Sequence, residues 1–310
     1  MRVPDDLRDC VCFITTWRAG SQTGIGTGFF VGMEIGVQDR YLYYLVTAKH
    51  CLFDDAGCPD EVVVLVNTSD GQIAELRSAA SQWVEHPTSD VAILPCVPDT
   101  SRYKYRVYPC SRSATKDFVA LKEVGPGDEV FVPGLLVHHP GRSRIMPIVR
   151  LGSIAAMPED PVRLSIGRYP GAQEVHEVVV LLEVRSIGGL SGSPVYLHLP
   201  FWRELPEAGK VLTSSGPATS SSGGENWLLG VMHGFYPVGE NDPDNVSGGN
   251  ENLNTGIAVV IPVDRVMELI NDPLQINHRD EMKHHIESGT SPSATSEAPD
   301  PLPYGAEDGI

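Results

Sequence analysis

The feature that most restricts what this chain can fold into is a recurrence of short β-branched and aromatic runs, each closed within a few residues by glycine, proline, asparagine or aspartate. Runs of this length pair through tight turns rather than forming helices, and they predict antiparallel sheet. Residues 10–17 lead through Thr23-Gly24-Ile25-Gly26-Thr27-Gly28 into Phe29-Phe30-Val31, and Tyr41 to Ala48 follows. Glu61 to Val66 and Gln72 to Arg77 make a hairpin about Ser69-Asp70-Gly71. Glu129 to Gly134, Ile148 to Ile154, Glu177 to Val184, Pro194 to Leu199, Trp227 to Gly234 and Gly256 to Ile261 continue the series. The 31 glycines and 25 prolines supply turn formers enough to end each run. Residues near 112–122 are read as a bridge between two halves. One helical pattern intervenes late: Pro262 opens it, Val263, Val266, Met267 and Ile270 share a face, and Asn271-Asp272-Pro273 ends it.

Composition excludes some function classes. The chain carries 40 acidic against 23 basic residues, a net charge of −17, which opposes binding to a nucleic-acid backbone or an anionic membrane. No apolar run approaches the roughly 20 residues of a membrane span, and residues 1–6 lack the apolar core of a secretory signal, so a cytoplasmic protein is expected. In that compartment the six cysteines are expected to be reduced, with Cys51 and Cys58 as the pair most worth checking. Gly24, Gly26 and Gly28 outline a dinucleotide loop, but a strand rather than a helix follows, and no cofactor is expected. Asp242 and Asp244 lie in a polar loop without the glycine of a calcium site, and His278, His284 and His285 read as a solvated helix end. No metal is expected. The Ser- and Gly-rich stretch 213–224 reads as a flexible excursion, and residues 287–310, with almost no apolar mass, as a disordered tail.

Three positions bear on chemistry. In Ile187-Gly188-Gly189-Leu190-Ser191-Gly192-Ser193-Pro194-Val195 a serine sits among small residues, where the N–H groups of Gly189 and Ser191 can point at one spot. Alone, the string reads as a surface turn. His50 ends a β-rich run; alone it reads as a structural histidine, or with Cys51 and Cys58 as part of a metal site, although short Cys-x2-4-Cys pairing is absent. Asp90 opens Val91-Ala92-Ile93-Leu94 and alone reads as a cap. Together they supply what a serine nucleophile needs: an imidazole to take its proton and an acid to hold that imidazole's tautomer and charge.

With these motifs the chain resembles the trypsin-like, double-β-barrel serine peptidases, closest in style to bacterial HtrA-type and short trypsin-like domains. The resemblance rests on residues 26–31, 47–51, 90–94, 189–194 and 256–262, and spans roughly residues 10–271. It implies two antiparallel six-stranded β-barrels, about 10–110 and 120–262, with a C-terminal helix at about 263–271, in one domain covering 1–286. It implies a serine endopeptidase acting on a protein or peptide through an acyl-enzyme: His50 as general base and acid, Asp90 as its orienting partner, Ser191 as nucleophile, and the N–H groups of Gly189 and Ser191 as oxyanion hole. The substrate pocket would lie at Arg185 to Gly188 and along Val231 to Gly234, so Arg185, His233 and Gly234 are the substrate-binding expectations. Arg185 reads equally well as a loop charge facing solvent. The chain departs from the family in two places, with Leu190 for the usual Asp or Asn before the nucleophile and Ser193 for a glycine. Those departures leave open a catalytically silent peptide-binding barrel, or a peptidase activated by a partner protein.

Overall fold

Alternation along the strands decides the architecture. In the computed structural model the described residues are 3–37, 40–53, 57, 59–96, 98–136, 141, 143–166, 173–185, 189–200, 224–237 and 254–288. The N-terminal half holds β1 (Val11–Arg18), β2 (Ser21–Glu34), β3 (Tyr41–Thr47), β4 (Glu61–Thr68), β5 (Ile73–Ser78), β6 (Val84–Glu85), β7 (Ala92–Pro95), β8 (Tyr103–Lys104) and β9 (Tyr108–Pro109). They form one sheet in the order β5-β4-β1-β2-β3-β7-β6, with β8 added beside β4 and β9 running parallel to β2. This half is a half-barrel.

The C-terminal half closes. Its strands β10 (Glu129–Gly134), β11 (Ile148–Ala156), β14 (Val180–Glu183), β15 (Pro194–Leu199), β16 (Glu225–Pro237) and β17 (Asn254–Pro262) form a six-stranded antiparallel barrel. Between β11 and β14 a separate hairpin, β12 (Val162–Ile166) with β13 (Gln173–Glu177), stands off it. The mainly β class, the second barrel and the C-terminal helix are as expected.

Successive residues of the central strands serve two different cores. In β2, Phe29 and Val31 face the layer between the two halves while Phe30 faces the interior of the first. In β3, Tyr44 and Val46 take the shared layer and Leu45 the interior. Across the junction Phe131, Tyr196, Val231, Val259 and Ile261 enter the same shared layer, while their neighbours Val130, Val132, Val195, Leu197, Met232 and Val260 fill the closed barrel. Strands buried on both faces need apolar residues at consecutive positions, which is why these runs read as continuous rather than alternating.

Helix α1 (Asp5–Arg8) precedes the first sheet, and α2 (Lys116–Leu121) lies in the bridging segment, with Phe118 tilted on Trp227 at 4.1 Å between ring centres. Helix α3 (Val263–Ile270) buries Val263, Val266, Leu269 and Ile270 against β7 and β16. Pro273 ends that helical pattern but also starts a second helix, α4 (Pro273–Ser288). The missing proline N–H is free to lose at a first helical position, and Asp272 Oδ1 accepts the Leu274 N–H at 2.9 Å as a cap. Of the tail expected over 287–310, residues 289–310 lie outside the described residues, as does most of 213–224.

Candidate active site

The register of β3 and β7 brings the first two site residues together. Thr47 pairs with Ala92 and Val46 with Ile93, so the residues just past β3 meet those just before β7. His50 lies in the 3-10 turn Lys49–Leu52, and Asp90 is fully buried beside it. The His50 backbone N–H donates to Asp90 Oδ1 at 2.9 Å, and His50 Nδ1 meets Asp90 Oδ2 at 2.7 Å. An ionised carboxylate only accepts, so Nδ1 carries the proton and the Nε2 lone pair of a neutral His50 is left for another partner. Burial alone would lower the His50 pKa, but the Asp90 charge and hydrogen bond more than offset it and hold it well above the usual imidazole value. Burial would likewise raise Asp90, yet His50 first and His233 second keep its carboxyl well below the usual range.

Ser191 sits on a turn clamped from both halves. Thr27 of β2 donates its N–H to the Ser191 carbonyl at 2.8 Å and its hydroxyl to the Gly189 carbonyl at 2.6 Å, and accepts the Leu135 N–H at 3.0 Å. From the barrel side, the Gly192 N–H donates to the Met232 carbonyl at 2.7 Å and the Met232 N–H to the Ser193 carbonyl at 2.9 Å. Gly189 and Gly192 have φ of 94° and 81°, a region that side chains disfavour. A Cβ on Gly192 would also stand 2.1 Å from the Thr27 carbonyl oxygen. Among the described residues the N–H groups of Gly189 and Ser191 have no acceptor, which leaves two neighbouring donors for an anion. Thr27 belongs to a motif that the sequence singled out for its glycines, and its clamping role had no local signal.

The two departures from the family pattern are both buried, and the Ser193 hydroxyl finds no hydrogen-bond partner among the described residues. Leu190 is fully buried in the barrel core with Val195, Leu197 and Met232. Ser193 is also fully buried, its hydroxyl turned toward Gly134 of β10, where a Cβ would come within 2.1 Å of Ser193 Oγ.

His233 is placed by an irregularity of its strand. Met232 pairs with Val260 and Gly234 with Val259, so His233 is the extra residue of a β-bulge in β16. The bulge sends its imidazole to Asp90, with Nδ1 at 2.5 Å from Oδ2, while its carbonyl accepts the Ser191 hydroxyl at 3.0 Å. That hydroxyl is thus directed at His233 rather than at His50. Gly234 is half-buried with open space where a Cβ would stand, and Arg185 is exposed. Residues 186–188, which complete the expected pocket base, lie outside the described residues. Cys51 carries a free, buried thiol next to His50, and Cys58 lies outside the described residues.

His50, Asp90 and His233 present nitrogen and oxygen atoms within 4.8 Å of one another, a spacing that a metal could use. Ligands around a tetrahedral zinc at about 2.0–2.1 Å are separated by about 3.3 Å. The 2.5 and 2.7 Å separations here are hydrogen-bond lengths.

No protein-family model matches the chain, and no curated protein does. Among solved structures, it is similar to a thermostable serine protease, AL20, from an extremophilic microorganism, at 12% identity over 86% of this chain and 97% of that one, with a TM-score of 0.45. It is similar to the serine endoprotease of Yersinia pestis at 15% identity over 87% and 69%, and to the protease Anisep of Arthrobacter nicotinovorans at 13% over 85% and 94%, both with TM-scores of 0.42. Where the half-barrel and the closed six-stranded antiparallel barrel meet, His50 and His233 both reach Asp90, and the Ser191 hydroxyl bonds the His233 carbonyl. The closed six-stranded barrel and the C-terminal helix are those that the trypsin-like resemblance implied. At these identities and TM-scores the likenesses carry nothing about chemistry, which rests on this chain's own residues.

Proposed function

We propose that the protein is a serine endopeptidase that cleaves a protein or peptide substrate through an acyl-enzyme. The observation that carries this reading is the His50 to Asp90 bond at 2.7 Å beside a serine turn with two N–H donors that have no acceptor among the described residues. For reaction the Ser191 hydroxyl leaves the His233 carbonyl and turns to His50 Nε2. As Oγ bonds to the scissile carbonyl carbon, its proton passes to Nε2, and the N–H groups of Gly189 and Ser191 stabilise the resulting oxyanion. Asp90 stabilises the imidazolium formed. His50 then gives the proton to the leaving amine, and water repeats the sequence on the acyl group.

Cleavage of a peptide library by the full chain tests this. Activity is expected for the wild type and a loss of several orders of magnitude for Ser191→Ala. Equal cleavage by both would refute it. The engagement of the Ser191 hydroxyl with the His233 carbonyl favours a second reading, a peptide-binding barrel that is silent until a partner frees the serine. Under that reading the isolated chain binds library peptides without cutting them, and Ser191→Ala binds them equally well.

A further inference from the structure

Asp90 is fully buried, and its histidine neighbours hold its carboxyl well below the usual range; a buried carboxylate is sustained only by surrounding donors. It has three: the His50 backbone N–H on Oδ1 and two imidazole Nδ1 atoms on Oδ2, those of His50 at 2.7 Å and His233 at 2.5 Å. The two rings stand edge to face, 5.4 Å apart at 77°, so neither displaces the other. The second imidazole reaches Asp90 only because β16 inserts an extra residue at this point. An apolar side chain would fill the same space without donating.

We propose that His233 is a positioning residue of this site, its Nδ1–H sharing the Asp90 oxygen with His50, so that it fixes the carboxylate and draws part of its charge away from His50. Its backbone carbonyl holds the resting Ser191 hydroxyl at 3.0 Å, so a single bulge residue touches both the acid and the nucleophile. The other groups facing the pair are Asp90, from the β6–β7 connection, and the Cys51 thiol beside His50. The effect on rate rests on the hydrolytic reading above, whereas the shared hydrogen bond does not.

The first measurement is nitrogen and proton NMR of the full chain with labelled histidines, which reads the tautomer directly. Nδ1–H is expected on both His50 and His233, each strongly shifted downfield; His233 found with a bare Nδ1 overturns the proposal, with no variant needed. The second compares His233→Asn, which keeps an N–H donor near the Nδ1 position, with His233→Leu, which keeps bulk and loses the donor. His233→Leu is expected to lower kcat about tenfold or more with KM little changed, and to move the acid limb of kcat/KM to higher pH because the full Asp90 charge falls on His50. His233→Asn is expected to restore most of both. A His233→Leu enzyme with wild-type kcat and acid limb overturns the proposal. Two Nδ1–H signals in a chain that cleaves nothing uphold the shared bond and refute the hydrolytic reading instead.

Discussion

At the scale of single residues, His50 has to be neutral to accept the Ser191 proton, and the structure makes that form hard to reach. Asp90 holds its pKa well above the usual imidazole value of about 6.5. The kcat/KM of the full chain is therefore expected to rise with pH through a midpoint above that value, measured on a fixed peptide over the neutral and alkaline range. A midpoint at or below it would contradict the role of the Asp90 contact. The sign for stability is opposite. A raised His50 contributes stability that is fully present below its unfolded value and lost as pH climbs through its folded one, and a lowered Asp90 contributes stability above its unfolded value that is lost in acid. Activity thus grows where the His50 contribution to stability fades. The contact of His50 with Asp90 was legible because an imidazole and a carboxylate at strand ends carry a chemical need for each other. His233 was not assigned to Asp90 because its partner depends on a bulge, and one inserted residue leaves no trace in a strand already apolar on both faces.

At the scale of elements, the serine turn works because neighbouring strands leave room for it. Leu190 and Ser193, which break the family pattern, both press on β10 at Gly134: a Cβ there would stand 2.1 Å from Ser193 Oγ and 2.8 Å from Leu190 Cδ2. Gly134→Ala is expected to destabilise the fold by about 1–3 kcal/mol, as overpacking of a tight core does, read from the midpoint of urea unfolding. An unchanged midpoint would show that the turn is looser than its packing implies. The need for a glycine at 134 cannot be seen in the local string Phe131-Val132-Pro133-Gly134, since the clash comes from residues nearly sixty positions away. The same limit applies to the end of α3, where Pro273 was legible as a stop but its second use, as the first residue of α4, depends on the Asp272 cap beside it.

At the scale of the whole molecule, the family resemblance implied two six-stranded barrels, and the described residues form one closed barrel and one half-barrel that share a core. The mainly β class and the late helix followed from the apolar runs and their turns. Closure did not, because it depends on which edge strands meet. Phe29, Tyr44 and Ile93 from one half pack in the same layer as Phe131, Tyr196 and Ile261 from the other. Unfolding one half would expose the apolar face of its neighbour, so the halves are expected to unfold in one transition. Urea curves followed by Trp83 fluorescence in the first half and Trp227 fluorescence in the second, each with the other tryptophans replaced, should coincide; two separated midpoints would show independent halves.

The serine turn is held at Ser191 by Thr27 of one half and at Gly192 and Ser193 by Met232 of the other, beside the imidazole and carboxylate that would activate the hydroxyl. The most direct measurement is covalent labelling of the folded full chain with a fluorophosphonate, with the modified residue mapped by mass spectrometry. A single adduct on Ser191, absent from Ser191→Ala, is the expected result; a folded wild type that takes no label, or takes it elsewhere, would contradict the account.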